Sequence, residues 1–218
     1  MSEIQHILYV FAHPDDETFC CGGTICHFHQ LGMNQTLFCA THGEAGKTGN
    51  PPLCTQAELG TVRLQELQTA LSILGMDQLV IKNWGDGRLS QQPFTSIVKQ
   101  LQSVMEDIRP DLVITFPPSG ISGHPDHKII QKATVAAIQK ISFPTKLYYI
   151  VIPESIARFY PVPILSAPDE YVSKKIDVTP YHQKIAQALS AHKTQHLSVE
   201  RVFPGVLSGR TGQLRKYE

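Results

Sequence analysis

Phe11-Ala12-His13-Pro14-Asp15-Asp16-Glu17 sets one imidazole and three carboxylates into five positions, directly after an apolar run over residues 6–12. Carboxylates this close repel one another unless a proton or a metal ion sits between them. A second cluster, Gly123-His124-Pro125-Asp126-His127, follows another apolar run more than a hundred residues on. Catalytic zinc usually takes three protein ligands from His, Asp, Glu or Cys and leaves a fourth position for water. His13 and Asp16 can supply two of these from one loop while Asp15 points elsewhere, and one histidine of the second cluster would complete the set. At a helix start His124 and His127 are three apart and share a face, so one can hold metal while the other stands beside a substrate. Asp15 and that histidine then form a base and acid pair. The metal would lower the pKa of bound water toward about 7 and polarise a carbonyl, while Asp15 takes the water proton. A histidine kept protonated by a carboxylate neighbour would stabilise the oxyanion or protonate a leaving amine. Amide hydrolysis fits these parts.

Each piece alone has a plainer role. Asp15 or Asp16 would serve as an ordinary helix cap, and His6, His27, His29, His42, His182 and His196 read as surface or packing residues. It is the pairing of H-P-D-D-E with G-H-P-D-H, each after a strand, that argues for one site.

The elements that must position these groups alternate. Apolar runs predict strands over 6–12, 35–41, 79–83, 112–116 and 146–152. Helical patterns lie between them: 18–31, interrupted early by Gly22 and Gly23, which would let backbone approach the site; 55–74, with Thr55 and Glu58 as a capping box and Gly75 as its stop; 93–110, bounded by two prolines; and 125–139. The expected fold is α/β, a Rossmann-like three-layer arrangement with a mostly parallel sheet, in a single domain over 1–218. Ligands in such sheets bind beyond the carboxyl ends of the strands, which is where both clusters, the glycine-rich loop after residue 41 and Asp86 would fall. Residues 153–180, punctuated by five prolines, predict an irregular C-terminal elaboration or extra hairpin, and 181–196 a last helix. On the helix over 55–74, Arg63 interrupts an apolar stripe. It either pairs with Glu66 one turn on or points into a pocket to bind a polar ligand.

Lys plus Arg and Asp plus Glu each number 19. Zero net charge gives no support to nucleic acid or an anionic membrane as partner and is compatible with self-association. No apolar run approaches the roughly 20 residues that cross a bilayer. All 5 cysteines fall in the first quarter of the chain without a C-x-x-C pair, which suits reduced thiols in a cytoplasmic protein.

A-H-P-D-D-E at 12–17, T-x-G-E-x-G at 41–46, R-x-x-E-L at 63–67, G-H-P-D-H at 123–127 and A-H-x-T-Q at 191–195 together resemble the LmbE-like, or PIG-L, family of zinc-dependent N-acetylglucosaminyl deacetylases. The resemblance implies zinc, with ferrous iron as the alternative in the cell, held by His13, Asp16 and His127. It implies Asp15 as general base, and His124, oriented by Asp126, as acid and oxyanion stabiliser. Arg63, Asp86 and His192 are implied to bind substrate. The family acts on N-acetylglucosamine joined to different aglycones, and the lack of a membrane segment turns the expectation to a small soluble amino sugar of the bacillithiol-precursor type. Rival readings are a zinc amidase of the same fold acting on a thiol conjugate, a two-metal phosphoesterase, and a non-catalytic nucleotide-binding module using the glycine-rich loop.

Overall fold

A computed structural model describes residues 4–218. Its centre is β1 (His6–Phe11), in which Ile7 to Phe11 have no exposed surface. A strand buried on both faces needs an unbroken apolar run rather than an alternating one, and that is what this segment carries. The sheet has five strands in the order β3-β2-β1-β4-β5, with β2 (Asn34–Cys39), β3 (Gln78–Ile81), β4 (Leu112–Thr115) and β5 (Lys146–Tyr149). Every pairing is parallel, Ile7 lying beside Gln35 on one side and Leu112 on the other. The chain therefore steps outward from β1 through β2 and β3, then returns to β1's other edge as β4. The order in which strands are added therefore reverses between β1 and β4, the two parallel strands that lead into the charged clusters.

Helices α1 (Asp16–Gln30), α2 (Leu59–Leu74) and α6 (His182–Ala191) pack together as one layer, and α3 (Phe94–Ile108) packs with α4 (Pro125–Ile138) as the other. The three-layer expectation holds. The apolar stripe of α3 is its buried side, with Ile97, Val98, Leu101 and Met105 facing the core. The Thr55 and Glu58 pair does form, Thr55 N–H and Oγ both reaching the Glu58 carboxylate, but it closes a turn, and α2 starts at Leu59.

Helix α1 is kinked at Cys21 (φ −150°). The glycines there do not bring backbone to the site, as their position in the sequence suggested. A Cβ on Gly23 would lie 2.4 Å from Val178 Cβ, so glycine admits the C-terminal segment instead. The amides freed by the kink, Gly23 N and Thr24 N, donate to the Glu218 carboxylate at 3.2 and 2.7 Å. Residues 153–180 form no hairpin: a short α5 (Glu154–Ala157), a parallel bridge from Pro153 to Ala167 and a turn at Asp169–Tyr171 occupy them. The last predicted helix is likewise broken. α6 stops at Ala191, a turn covers Lys193–Gln195, and α7 (His196–Val202) follows. Among the described residues no helix is long and apolar enough to cross a membrane.

Candidate metal centre and active site

The strand-end loops converge as the parallel sheet requires. His13 Nδ1 lies 3.3 Å from His127 Nε2 and 3.5 Å from Asp16 Oδ2, and His127 Nε2 lies 3.3 Å from Asp16 Oδ1. The outer ring atoms decide what the inner ones carry. His127 Nδ1 is 3.0 Å from the Gly120 carbonyl, which can only accept, so this nitrogen donates and Nε2 is left with a bare lone pair. His13 Nε2 faces Asp86 Oδ1 at 3.0 Å and Asp126 Oδ2 at 3.3 Å, so it too must donate, and in the neutral ring Nδ1 carries the lone pair. Two lone pairs and a carboxylate oxygen then point at one another. That repels unless a cation lies between them. Four-coordinate zinc with ligands at about 2.0–2.1 Å separates them by about 3.3–3.4 Å, so the donor set fits a divalent ion. Phe116 stacks on His127 at 4.0 Å between centroids and closes one side of the ring.

The electrostatics agree with a site built for positive charge. Burial works to raise Asp16, but His127 and His13 hold it well below the usual carboxylate range. Burial likewise opposes charge on His13, and Asp126, Asp16 and Asp86 together push it well above the ordinary histidine value. His124 moves the other way, lowered by burial and by the two neighbouring rings.

Asp15 precedes α1 with φ 107°, a left-handed conformation that L-residues rarely adopt. Its backbone N–H donates to Glu17 Oε2 at 3.0 Å. Arg63 NH2 donates to Asp15 Oδ2 at 2.9 Å and to the Pro14 carbonyl, while NH1 donates to the Gly43 carbonyl at 2.8 Å. Burial pushes the Asp15 carboxyl up to about 6 against the pull of Arg63, with the Asp16 charge adding to the rise. Gly43 is fixed by this contact, since a Cβ there would sit 2.2 Å from Arg63 NH1.

Four residues expected at the site make contacts here that the sequence did not announce. Arg63 is 4 % exposed and does not pair with Glu66; its guanidinium braces the Asp15 turn rather than reaching outward for substrate. Asp86 spends Oδ1 on His13 and Oδ2 on the Ala45 N–H at 3.1 Å, so it braces a ring. His192 is wholly buried behind the turn, with Nε2 3.2 Å from Glu17 Oε1. The Asp126 carboxylate does not touch His124. It accepts from Gly87 N and Leu89 N at 2.8 and 3.2 Å and faces His13; the Asp126 backbone N–H is what donates to His124 Nδ1, at 3.1 Å. That contact makes Nε2 the proton-bearing nitrogen of a neutral, half-buried His124. Its ring centroid is 4.7 Å from that of His13.

Sequence reasoning gave no role to Glu44, counted Glu17 only as a charge of the first cluster and offered Glu66 only as a partner for Arg63. Glu66 accepts both N–H and Oγ of Thr194, at 2.8 and 2.7 Å, and Glu44 Oε1 accepts the Asp86 N–H at 2.8 Å. The signal was present, because each glutamate stands inside one of the five motifs.

The profile of the family described as PIG-L, GlcNAc-PI de-N-acetylase, matches residues 8–138. A probable N-acetyl-alpha-D-glucosaminyl L-malate deacetylase 2 of Bacillus anthracis is 34% identical over 199 residues, covering 89% of this chain and 83% of its own. Among solved structures, the N,N'-diacetylchitobiose deacetylase of Pyrococcus horikoshii aligns with a TM-score of 0.68 at 20% identity, over 88% of this chain and 71% of that one. The 4-carboxy-2-hydroxymuconate hydratase of Pseudomonas putida KT2440 aligns with a TM-score of 0.72 at 20% identity, over 91% and 82%. The fold thus carries more than one chemistry, and the two structures speak to architecture alone. The profile over residues 8–138 and the Bacillus relative, in contrast, are matches of sequence, and on them the chain belongs to the PIG-L family.

Proposed function

We propose that this chain is a zinc-dependent deacetylase that hydrolyses the N-acetyl group of a small N-acetylglucosaminide, with a malate-linked sugar as the first substrate to try. The observation that carries the reading is the convergence of His13 Nδ1, His127 Nε2 and Asp16 on one point, with Asp15 and His124 beside it. These three residues would hold the ion. When bound, it would supply a Lewis acid for the amide carbonyl and bring the pKa of water toward about 7.

The protein's own groups do the rest. Asp15 takes the proton of the attacking water, kept ionised by Arg63 and kept in place by the turn. His124 presents Nε2–H to the oxygen on which negative charge develops, in the tautomer that the Asp126 N–H fixes, and Asp15 passes the proton it took from water to the leaving amine. Asp86 and Asp126 set the His13 ring. Malate is preferred on the Bacillus relative's name, and the unpaired cysteines, four of them buried, support a reducing, cytoplasmic setting.

The test is acetate release by zinc-loaded protein from N-acetylglucosamine linked to malate, to inositol and to a second sugar, with Asp15→Asn as control. Release from the malate compound, abolished by the substitution, supports the reading. No release from any of them, with zinc bound, refutes it.

A further inference from the structure

Behind the Asp15 turn lies an assembly that the reaction as written does not use. Glu17 is wholly buried, and its two oxygens face opposite ways. Oε2 accepts the Asp15 N–H at 3.0 Å. Oε1 accepts Thr18 Oγ at 2.6 Å and lies 3.2 Å from His192 Nε2. A carboxylate removed from water needs donors on every lone pair it keeps, and the His192 Nε2–H is one of the two that Oε1 has. The other ring nitrogen, Nδ1, is buried without a partner. His192 is itself held from both sides: Thr194 binds Glu66 on α2, and Gln195 Nε2 donates to the Lys47 carbonyl of the glycine-rich loop at 2.8 Å. The A-H-K-T-Q segment therefore pins α1, α2 and that loop to one another. Its histidine ends on the glutamate that holds the strained residue.

The geometry points to His192 as a positioning residue that acts through Glu17 on Asp15. The relay is a fixed chain of hydrogen bonds: His192 Nε2–H to Glu17 Oε1, and Asp15 N–H to Glu17 Oε2. Nothing is transferred along it. Its effect is to keep Asp15 at φ 107°, where Arg63 takes Oδ2 and Oδ1 is left free to accept a proton. With no exposed surface, His192 does not touch substrate. The inference rests on Asp15 being the base.

Glutamine can place an amide donor where Nε2 stands, whereas asparagine reaches only as far as Nδ1. His192→Gln and His192→Asn therefore separate the hydrogen bond from the packing. We expect His192→Gln to keep kcat within about threefold, and His192→Asn to lower it about 10–100-fold, the usual effect of losing an outer hydrogen-bond partner. KM and zinc content should be unchanged in both. In an Asp15→Asn background, His192→Asn should add little further loss, because residues acting through one another are not additive. Equal losses for the two variants, an effect confined to KM, or a fully multiplicative loss in the Asp15→Asn background would overturn the relay. If His192→Asn does not fold, Thr18→Val removes the other donor to the same oxygen: lower kcat at constant KM supports the relay, and unchanged kcat overturns it. Asp15→Asn at full turnover would sink the base assignment itself. An inactive Asp15→Asn beside indifferent His192 variants would sink the relay alone.

Discussion

Replacing Arg63 by methionine keeps the unbranched apolar stem of the side chain and deletes the guanidinium with its charge. Three acceptors lose their donor at once: the Gly43 and Pro14 carbonyls and the Asp15 carboxylate. Removing one partner of a buried ion pair costs about 3–5 kcal/mol. The Asp15 side chain is 17% exposed and can recover some hydration, so the lower end applies. At roughly 2–4 °C per kcal/mol for a domain of this size, a loss near 3 kcal/mol lowers Tm by about 6–12 °C. The chemistry should shift in a defined direction as well. Arg63 pulls the Asp15 pKa down while burial pushes it up to about 6, so without Arg63 the value rises further. Only ionised Asp15 can accept the water proton. The acid limb of kcat/KM must therefore move to higher pH, with about tenfold less activity per pH unit of displacement at any pH below both values. Arg63→Lys, which keeps the charge but not the fork, should lose stability with a smaller displacement of the limb. The assay is acetate release against pH beside thermal unfolding of both variants. A limb that stays put or moves to lower pH in Arg63→Met, while Tm falls, would refute Asp15 as the titrating base. An unchanged Tm would refute the brace.

Two further outcomes are expected. His13→Ala and His127→Ala should each lose bound zinc after desalting, as read by metal analysis, whereas Asp15→Asn should keep about one ion per chain with most of its turnover gone. Asp126→Ala removes the acceptor for Gly87 N and Leu89 N together with a partner of His13; it should weaken zinc about 10–100-fold in competition with a chelator, and an unaltered affinity would mean that Asp126 does not set the His13 ring.

Much of this arrangement is legible in the sequence because it is encoded locally. An apolar run buried on both faces ends at Phe11, and whatever follows a central parallel strand must lie at the sheet's carboxyl edge, so the two clusters and the glycine-rich loop could be placed together from order alone. What stayed hidden is which groups meet across distant segments. The periodicity of α2 marks Arg63 as facing inward, yet the Asp15 carboxylate it meets is 48 residues away and held there by a left-handed turn. Asp126 stands two residues from His124 and looks like its partner. Its carboxylate instead turns to two loop amides and His13, leaving only a backbone N–H for the neighbour. Gly22 and Gly23 read as an opening toward the site, because nothing in their own neighbourhood announces Val178. His192 shows the same limit from the other side, since its segment looks like continuing helix until its side chains are drawn to Glu17 and Glu66.

The reversal of strand order between β1 and β4 has a consequence for how the protein reaches its native state. A chain that has formed β1, β2 and β3 owns His13 and Asp16 but not His127, which arrives only when β4 docks beside β1. Partly folded forms lacking that seam have an incomplete ligand set. A tightly bound ion stabilises the native chain by RT ln(1 + [L]/Kd) and gives little to forms that bind it poorly. Zinc would then act as a proofreader of the fold, lengthening the lifetime of chains whose two halves have met in register while leaving trapped or half-closed ones to be cleared.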